Sequence, residues 1–374
     1  MKFTLSSTAL SSKLSTLSKV ISSKNSIPML GCFLFDVKGK DLTITATDGE
    51  NMMRTTLTVD DADGDGRFAV NCQMITDALR ELAEQPLTLT IDLEAQTIEV
   101  AYMNGEYNFT VNDADEYPEF KPVEESAVSV TLPSGTLASI VARSIFATAT
   151  DEIRPVMSGL YFDFTPEAFV VVASDGRRLV RNRVLTLKTS APTSFVLPRK
   201  PAGLLKYMLT DGEADVTIRF NSQTAEISTG DAMMQCRLVE GRYPNYEAVI
   251  PHDNPYQFVM DRKALLGAVK RVTPFTITKS MVLRIHLETG KMTLNSQDLD
   301  YATRAKEEVA CDYVGNAMDI GFSGPALIEI LTALDSQEVC VELADPSRPC
   351  LLTPEQQPEN GDVLMLLMPM LISE

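Results

Sequence analysis

Three copies of one pattern divide the 374-residue chain. Each third opens with apolar residues at spacings of three and four, which places them on one face of a helix. Leu10, Leu137 and Leu265 hold equivalent places in this pattern, so the copies are offset by 127 and then 128 residues (137 − 10 and 265 − 137). A period this long predicts tandem domains, each large enough to bury its own core.

An alternating strand follows the first helix of each copy and runs into an acidic turn. The three strand-and-turn segments are residues 42–50, 169–177 and 291–300. In the first two copies the turn contains Asp48-Gly49 and Asp175-Gly176, a pair typical of turns that need a positive φ. The third copy has Gln297-Asp298 and no glycine at this place.

A second helix is predicted in each copy, over residues 74–84, 201–209 and 325–334. Asn71 precedes the first of these as an N-cap, and Ser323 with Pro325 does the same for the third. Short alternating strands surround the helices, and such strands usually form antiparallel sheets. The chain is therefore predicted to be α+β, with two helices and about eight short strands in each copy.

Polar segments at 121–126 and 251–255 separate the copies and contain proline, which indicates linkers. The predicted domains are 1–122, 128–250 and 256–374. A tandem array can form a solenoid or a closed ring. Modules of this size with independent cores favour a few units in closed symmetry.

Composition excludes several classes of protein. A net charge of −18 is incompatible with coating nucleic acid over the whole surface, although it allows one local basic face. Six cysteines without a CxxC pair predict reduced core residues and no zinc site. The sequence has neither a signal peptide nor 18 consecutive apolar residues, so we expect a cytoplasmic protein without a membrane span.

Motifs for catalysis are weak. Asp61, Asp63 and Asp65 imitate the start of a calcium loop, but Cys72 stands where the bidentate glutamate belongs. The segment 321–325 imitates a nucleophile elbow, yet Ser323 is better explained as a helix cap. Only two histidines are present and phosphate-binding glycine motifs are missing. A single-strand binder would need aromatic residues among basic ones, and tryptophan is absent. We therefore expect neither an enzyme nor any cofactor.

Several segments, in order along the whole chain, resemble the β subunit of bacterial DNA polymerase III, the β sliding clamp. They are the opening Met-Lys-Phe and residues 27–31, 47–48, 174–179, 197–200, 241–246 and 368–370. The resemblance implies three tandem DNA-clamp domains that close as a head-to-tail homodimer. In that ring the sheets lie outside and the helices line a hole for duplex DNA.

The resemblance also implies a function that involves no catalysis. The ring would confer processivity on the replicative polymerase, would be loaded by a clamp loader, and would bind DNA without reading its sequence. Basic residues of the helices and nearby segments are the expected DNA-lining set, although lysine and arginine on a helix are often only a solvated face. This set is Lys24, Arg80, Arg143, Arg199, Lys200, Lys206, Lys263, Lys270 and Arg271.

Partner proteins, namely polymerases and repair proteins, would bind through a peptide groove. The residues that match this groove are Met157, Ser174, Gly176, Arg177, Arg178, Leu179, Pro244, Val249, Leu366, Leu367, Met368, Pro369 and Met370. Methionine side chains repack easily and so suit several partners. Alternatively, residues 364–370 are only the last core strand, but proline at 369 favours an edge position.

The sequence departs from the family at three places. Pro155 and Val156 stand where aromatic residues often precede the groove's glycine, which argues against base or sugar contacts there. The family commonly ends Met-Pro-Met-Arg-Leu, whereas here residues 371–374 are Leu-Ile-Ser-Glu. Glu106 stands where a basic residue is frequent. The expected dimer interface includes Glu106, Phe275 and Arg304, and we predict an ion pair between Glu106 of one protomer and Arg304 of the other.

Overall fold

The computed structural model describes residues 1–22, 27–124, 126–151, 153–210, 212–277, 280–298 and 301–372. The chain divides into two compact units. The first, unit 1, comprises Met1–Ala138 and Gly203–Leu238, and the second, unit 2, comprises Ser139–Ala202 and Val239–Glu374.

Each repeat contributes two α-helices, as its apolar spacing predicts. They are α1 (Ser7–Leu17), α2 (Cys72–Arg80), α3 (Ser134–Ser144), α4 (Arg199–Met208), α5 (Arg262–Val272) and α6 (Gly324–Ala333). The predicted caps are confirmed, because Asn71 accepts from the Met74 N–H at 3.0 Å and Ser323 accepts from the Ala326 N–H at 3.4 Å. The predicted end of α2 at residue 84 is wrong. The Leu82 N–H bonds to the Leu79 carbonyl at 3.2 Å, a tight turn that closes the helix.

Thirteen strands form one sheet among the described residues of unit 1. They are β1 (Lys2–Ser6), β2 (Cys32–Lys38), β3 (Asp41–Thr47), β4 (Asn51–Thr58), β5 (Asp61–Asp63), β6 (Gly66–Asn71), β7 (Pro86–Asp92), β8 (Thr97–Tyr102), β9 (Gly105–Asn112), β10 (Val128–Pro133), β15 (Asp215–Phe220), β16 (Thr224–Thr229) and β17 (Ala232–Arg237). Their order is β10-β15-β16-β17-β4-β3-β2-β6-β9-β8-β7-β1-β5. The antiparallel pairing of β17 with β4 joins strands of the first and second repeats.

Unit 2 contains an eight-stranded and a four-stranded sheet among its described residues. Its strands are β11 (Gly159–Phe164), β12 (Phe169–Ser174), β13 (Arg178–Val184), β14 (Thr193–Pro198), β18 (Tyr256–Asp261), β19 (Val282–Glu288), β20 (Lys291–Asp298), β21 (Thr303–Ala310), β22 (Met318–Ser323), β23 (Glu338–Leu343), β24 (Cys350–Pro354) and β25 (Gly361–Leu367). Their orders are β14-β11-β12-β13-β25-β24-β23-β18 and β21-β20-β19-β22. The pairing of β13 with β25 joins the second and third repeats.

The turn and cysteine predictions are confirmed. Gly49 and Gly176 have φ values of 95° and 87°, as their Asp-Gly turns require. All six cysteines are free and buried. Burial raises the pKa of Cys72 to about 11 and that of Cys236 to about 12, so these thiols stay protonated at neutral pH. None of the described helices is long and apolar enough to cross a membrane.

Candidate partner groove and basic helices

A cluster of apolar side chains in unit 2 forms the floor of the predicted groove. Its buried members are Ala168, Val170, Val172, Leu179, Val196, Tyr243, Ile250, Leu351 and Leu366. Partly buried side chains pack on this floor: Val156, Tyr161, Val239, Tyr246, Leu364 and Met368. The floor is therefore an extension of the core, with apolar side chains left half open to solvent.

The turn after β12 is rigid because polar groups satisfy its backbone. One carboxylate oxygen of Asp175 accepts from the Arg177 and Arg178 N–H groups at 2.9 and 3.0 Å. The Ser174 hydroxyl donates to the Arg178 carbonyl at 2.8 Å and accepts from the Gly176 N–H at 3.1 Å. These bonds hold Ser174, Gly176 and the two arginines in one conformation beside the floor.

Arg178 is held as a fixed cation at this turn. Its Nε donates to Asp175 at 3.0 Å, and a terminal nitrogen pairs with Glu329 of α6. The guanidinium also lies 5.2 Å from the ring centre of Phe146, within the range of a cation–π contact. Arg154 reaches the Asp175 carbonyl at 2.9 Å. Arg178 is therefore largely buried and already paired with two carboxylates, whereas Arg177 is exposed.

The C-terminal segment lies beside this floor, and its placement corrects part of the sequence interpretation. Strand β25 pairs with β13 on one side and β24 on the other, so Leu366 and Leu367 lie in a central strand and are buried. The expectation that Pro369 marks an edge strand is wrong. Pro369 follows the strand, between the Met368 N–H, which donates to the Arg177 carbonyl at 2.8 Å, and the Met370 N–H, which donates to the Gly321 carbonyl at 2.8 Å. Proline is accommodated there because no backbone donor is needed between these two bonds.

The remaining predicted groove residues lie in the same unit. Met157 is buried, Pro244 is exposed, and Val249 is 52% exposed. Tyr161 and Tyr243 stack with ring centres 4.6 Å apart. The side chains that pack on the apolar floor but were not part of the sequence prediction are Val156, Tyr161, Val239, Tyr246 and Leu364. Of these, Tyr246 belongs to the motif at 241–246, which could have identified it.

Of the basic residues predicted to contact DNA, those of unit 1 differ in their surroundings. Arg80 on α2 is exposed but paired with Asp77 at 2.9 Å. Lys206 on α4 lies 4.7 Å from the ring centre of Tyr207, and Lys19 approaches the same ring at 5.8 Å. Lys24 lies outside the described residues.

The basic residues of unit 2 fall into two groups. Arg143 donates to Asn182 at 3.1 Å, and burial lowers its pKa. Arg271 pairs with Glu307, with Nε and Oε2 2.9 Å apart. The exposed group comprises Arg199, Lys200, Lys263 and Lys270.

The predicted dimer residues lie on exposed positions of three segments. Glu106 is on β9, and Arg304 is on β21. Phe275 is 38% exposed, which is unusual for so large an apolar side chain, and Ile277 beside it is 41% exposed. The structure describes one chain, so the predicted ion pair between protomers stays a prediction.

The motifs that imitate enzyme sites have structural roles. Residues 61–63 form β5, and Ser323 caps α6, so neither is arranged for calcium binding or nucleophilic attack. Within the described part of the chain, acidic, histidine and cysteine side chains form no cluster that could hold a metal ion.

The folded repeats define a class, the DNA clamps, in which three tandem α+β domains each carry two helices against antiparallel sheets. Models of the N-terminal, central and C-terminal domains of the DNA polymerase III β subunit match residues 1–121, 131–245 and 247–371. The chain belongs to this family. Its function is that of a DNA sliding clamp, a processivity subunit of the polymerase without catalysis of its own.

Relatives and solved structures match over the whole length. A β sliding clamp from Treponema pallidum is 30% identical over 376 residues, and one from Pseudomonas putida is 27% identical over 380 residues; these alignments cover at least 99% of each chain. A Pseudomonas aeruginosa clamp bound to griselimycin has a TM-score of 0.93 at 24% identity. The Thermotoga maritima β subunit has a TM-score of 0.90 at 26% identity, and both structures cover 100% of each chain.

Proposed function

We propose that two copies of this chain join head to tail into a closed ring that encircles duplex DNA. The observation that carries this proposal is a pair of open strand edges, one bearing Glu106 and the other bearing Arg304. Residues Gly105–Thr110 of β9 pair with β8, while β6 pairs only with Val111 and Asn112. Strand β21 is the last strand of its sheet, next to β20.

Open edges of this length are normally protected in monomers, because their unpaired backbone groups invite another strand. Antiparallel pairing of β9 with β21 of a second copy would give hydrogen-bond partners to the unpaired backbone groups of both strands. It would also join the sheet of one copy to the sheet of the other. Aromatic side chains lie beside the β9 edge, with Tyr102 and Tyr107 4.9 Å apart and Phe109 6.2 Å from Tyr107. With Phe275 they supply the apolar contact that a lasting interface needs.

Further parts of the proposal follow from the family. The domain boundaries are 1–122, 128–250 and 256–374, and the three separate family matches support this division. A clamp loader would open and close the ring around DNA. The protein would act in the cytoplasm, where bacterial replication takes place.

The ring would be tested by retention on DNA after loading by the clamp loader of the same organism. A closed ring slides off free ends, so we expect retention on circular plasmid and rapid loss after the plasmid is linearised. Equal retention on both forms would mean ordinary surface binding and would overturn the ring.

We propose that the exposed cations of the helices contact DNA phosphates. Lys263 and Lys270 lead this set, because they are seven residues apart on one face of α5 and both are exposed. Arg199, Lys200 and Lys206 on α4 are exposed as well. Lys24, Arg80, Arg143 and Arg271 complete the proposed set, but the last three are held by neighbouring side chains.

Replacing Lys263 and Lys270 together by glutamate is expected to weaken DNA binding and to reduce its salt dependence. The slope of log K against log salt should fall by about 0.9 for each phosphate that the protein no longer neutralises. The measurement is a salt titration of binding to short duplex DNA. Lys188→Glu, at an exposed loop position, is the matched control. An unchanged slope in the double variant would show that α5 is not part of the DNA-binding surface.

We also propose that the groove binds peptides of polymerases and repair proteins and that griselimycin, which a relative's structure holds, binds here too. Support comes from the half-open apolar floor beside the fixed Arg178 cation. An apolar peptide side chain would lie against Met368 and Tyr246. An acidic peptide group would face the exposed Arg177.

Charge reversal at Glu106 is expected to weaken the dimer by about two- to thirtyfold. Exposed ion pairs contribute about 0.2–1 kcal/mol each, and a two-fold ring has two such sites. Dimer dissociation would be followed by sedimentation at low salt. Combining Glu106→Lys with Arg304→Glu should restore the wild-type value. A Glu106→Lys dimer as stable as the wild type would disprove the ion pair.

A further inference from the structure

We infer that Gly321 is a positioning residue of the partner groove, because its lack of a side chain lets the C-terminal segment 368–370 dock against β22. This inference rests on the proposed function of the groove. Gly321 itself is not one of the predicted groove residues described above. It acts through Met370, which forms an isolated antiparallel bridge with it.

Space, rather than backbone conformation, requires glycine at this position. A Cβ atom on Gly321 would lie 2.5 Å from the Met370 carbonyl oxygen and 2.9 Å from a side-chain carbon of Ile372. Real Cβ contacts are essentially never shorter than 3.0 Å. The φ of Gly321 lies outside the left-handed region that favours glycine, so the backbone itself would accept alanine. With the residues from Met370 onward displaced, the tightest remaining contact of the added Cβ would be a Val282 side-chain carbon at 3.2 Å.

The C-terminal segment 368–370, called the tail below, should move to make room for a methyl group on residue 321, whereas β22 should keep its position. Strand β22 pairs with β19 over its whole length, from Met318 opposite Leu287 to Ser323 opposite Val282. The tail has a single bridge to β22 and one backbone bond, from Met370 to Gly321. Moving the C-terminal segment breaks one backbone hydrogen bond, whereas moving β22 breaks the ladder of bonds that joins it to β19. Moving the C-terminal segment therefore costs less free energy.

Displacement of Met370 would loosen the C-terminal segment beside the floor without unfolding the strand that supports it. Met368 remains attached to the Arg177 carbonyl, and Pro369 has no N–H to form a new bond. The backbone from Pro369 onward would therefore lose its defined position. A ligand would then have to order this segment on binding, which lowers its affinity.

The decisive variant is Gly321→Ala, with Gly31→Ala as the matched control because an added Cβ at Gly31 meets no atom of the described residues within 4 Å. Griselimycin is the probe, titrated calorimetrically into the full-length protein. We expect affinity to fall about tenfold in Gly321→Ala and to stay unchanged in Gly31→Ala. Retention on circular DNA should be the same for both variants.

Hydrogen exchange supplies a readout that a general loss of stability would not reproduce. The Met370 amide should exchange faster in Gly321→Ala, while amides of β22 and β25 keep their protection. Unchanged griselimycin affinity, or unchanged protection at Met370, would overturn the inference. A wild-type protein that binds no griselimycin would count against the groove proposal instead, and Met370 exchange would then decide the docking role of Gly321 alone.

A second pair of variants tests the same bond from the tail. Met370→Pro removes the N–H that donates to Gly321 and leaves β22 intact, whereas Met370→Ala keeps that N–H. If Gly321→Ala does not fold, Met370→Pro should still bind griselimycin more weakly than Met370→Ala. Equal affinities for the two variants would contradict the positioning role.

Discussion

Replacing Phe275 and Ile277 together by alanine is expected to leave the protein monomeric and to abolish its retention on circular DNA. Both side chains are about two-fifths exposed in the single chain, at 38% and 41%. Burying one large apolar side chain contributes about 1.5–3 kcal/mol, and a two-fold ring would bury each residue twice. Because only about two-fifths of each side chain remains to be buried, the four side chains together contribute about 2.5–5 kcal/mol, which corresponds to a dimer about fiftyfold to a few thousandfold weaker. Sedimentation across a concentration series measures this directly.

The free energy of unfolding of the double variant is measured in parallel. Phe275 and Ile277 are about three-fifths buried within the chain, so their truncation also removes some packing inside the monomer. Leu93→Ala is the matched control, since Leu93 is 49% exposed on the turn between β7 and β8 and is outside the proposed interface. If the double variant still forms a dimer that is retained on circles, Phe275 does not belong to the interface and the β9–β21 pairing must be abandoned.

The repeat, the helices and their caps could be predicted from the sequence because they depend on local chemistry. Apolar spacing located α1 to α6, and Asn71 and Ser323 marked helix starts through bonds to residues only three positions away. The Asp-Gly turns were equally local, because the left-handed φ of Gly49 and Gly176 is a property of glycine itself.

Long-range pairing could not be predicted in this way. Nothing in residues 361–367 indicates that β25 has β13 as a neighbour, because antiparallel partners far apart in sequence leave no periodic signal. The edge interpretation of Pro369 was wrong for this reason. Likewise, the sequence of α3 gives no sign that Arg143 is held by Asn182, 39 residues away.

The predicted groove residues differ in how much a substitution would reveal about ligand contacts. Leu179 and Leu366 match the family's motif, yet both are buried in the floor, at 2% and 3% exposure. Truncating either would destabilise the fold, so a loss of binding would not identify a contact. Met368 is more informative, because its side chain is half-buried on the floor while its backbone is held independently by Arg177.

Met368→Lys is therefore expected to reduce partner binding by about a hundredfold or more while the ring remains intact. Lysine keeps an unbranched stem of similar length, but it places an ammonium group where an apolar ligand would have to desolvate it. A loss of about 2.7 kcal/mol corresponds to that hundredfold change. The measurement is calorimetric titration with griselimycin and with a clamp-binding peptide of the organism's replicative polymerase. Retention on circular DNA, measured in parallel, shows that the ring is unaffected.

Leu371→Lys is the matched control for this charge. Leu371 lies three residues further along the same segment and is 97% exposed, so a lysine there stays hydrated and should leave the affinity within about twofold. Met368→Leu, which retains an apolar side chain, should bind nearly as the wild type does. If Met368→Lys binds both ligands normally, the groove cannot use this segment. If Leu371→Lys is impaired as strongly, the ligand extends along the C-terminal residues, where this chain departs from the family's usual ending.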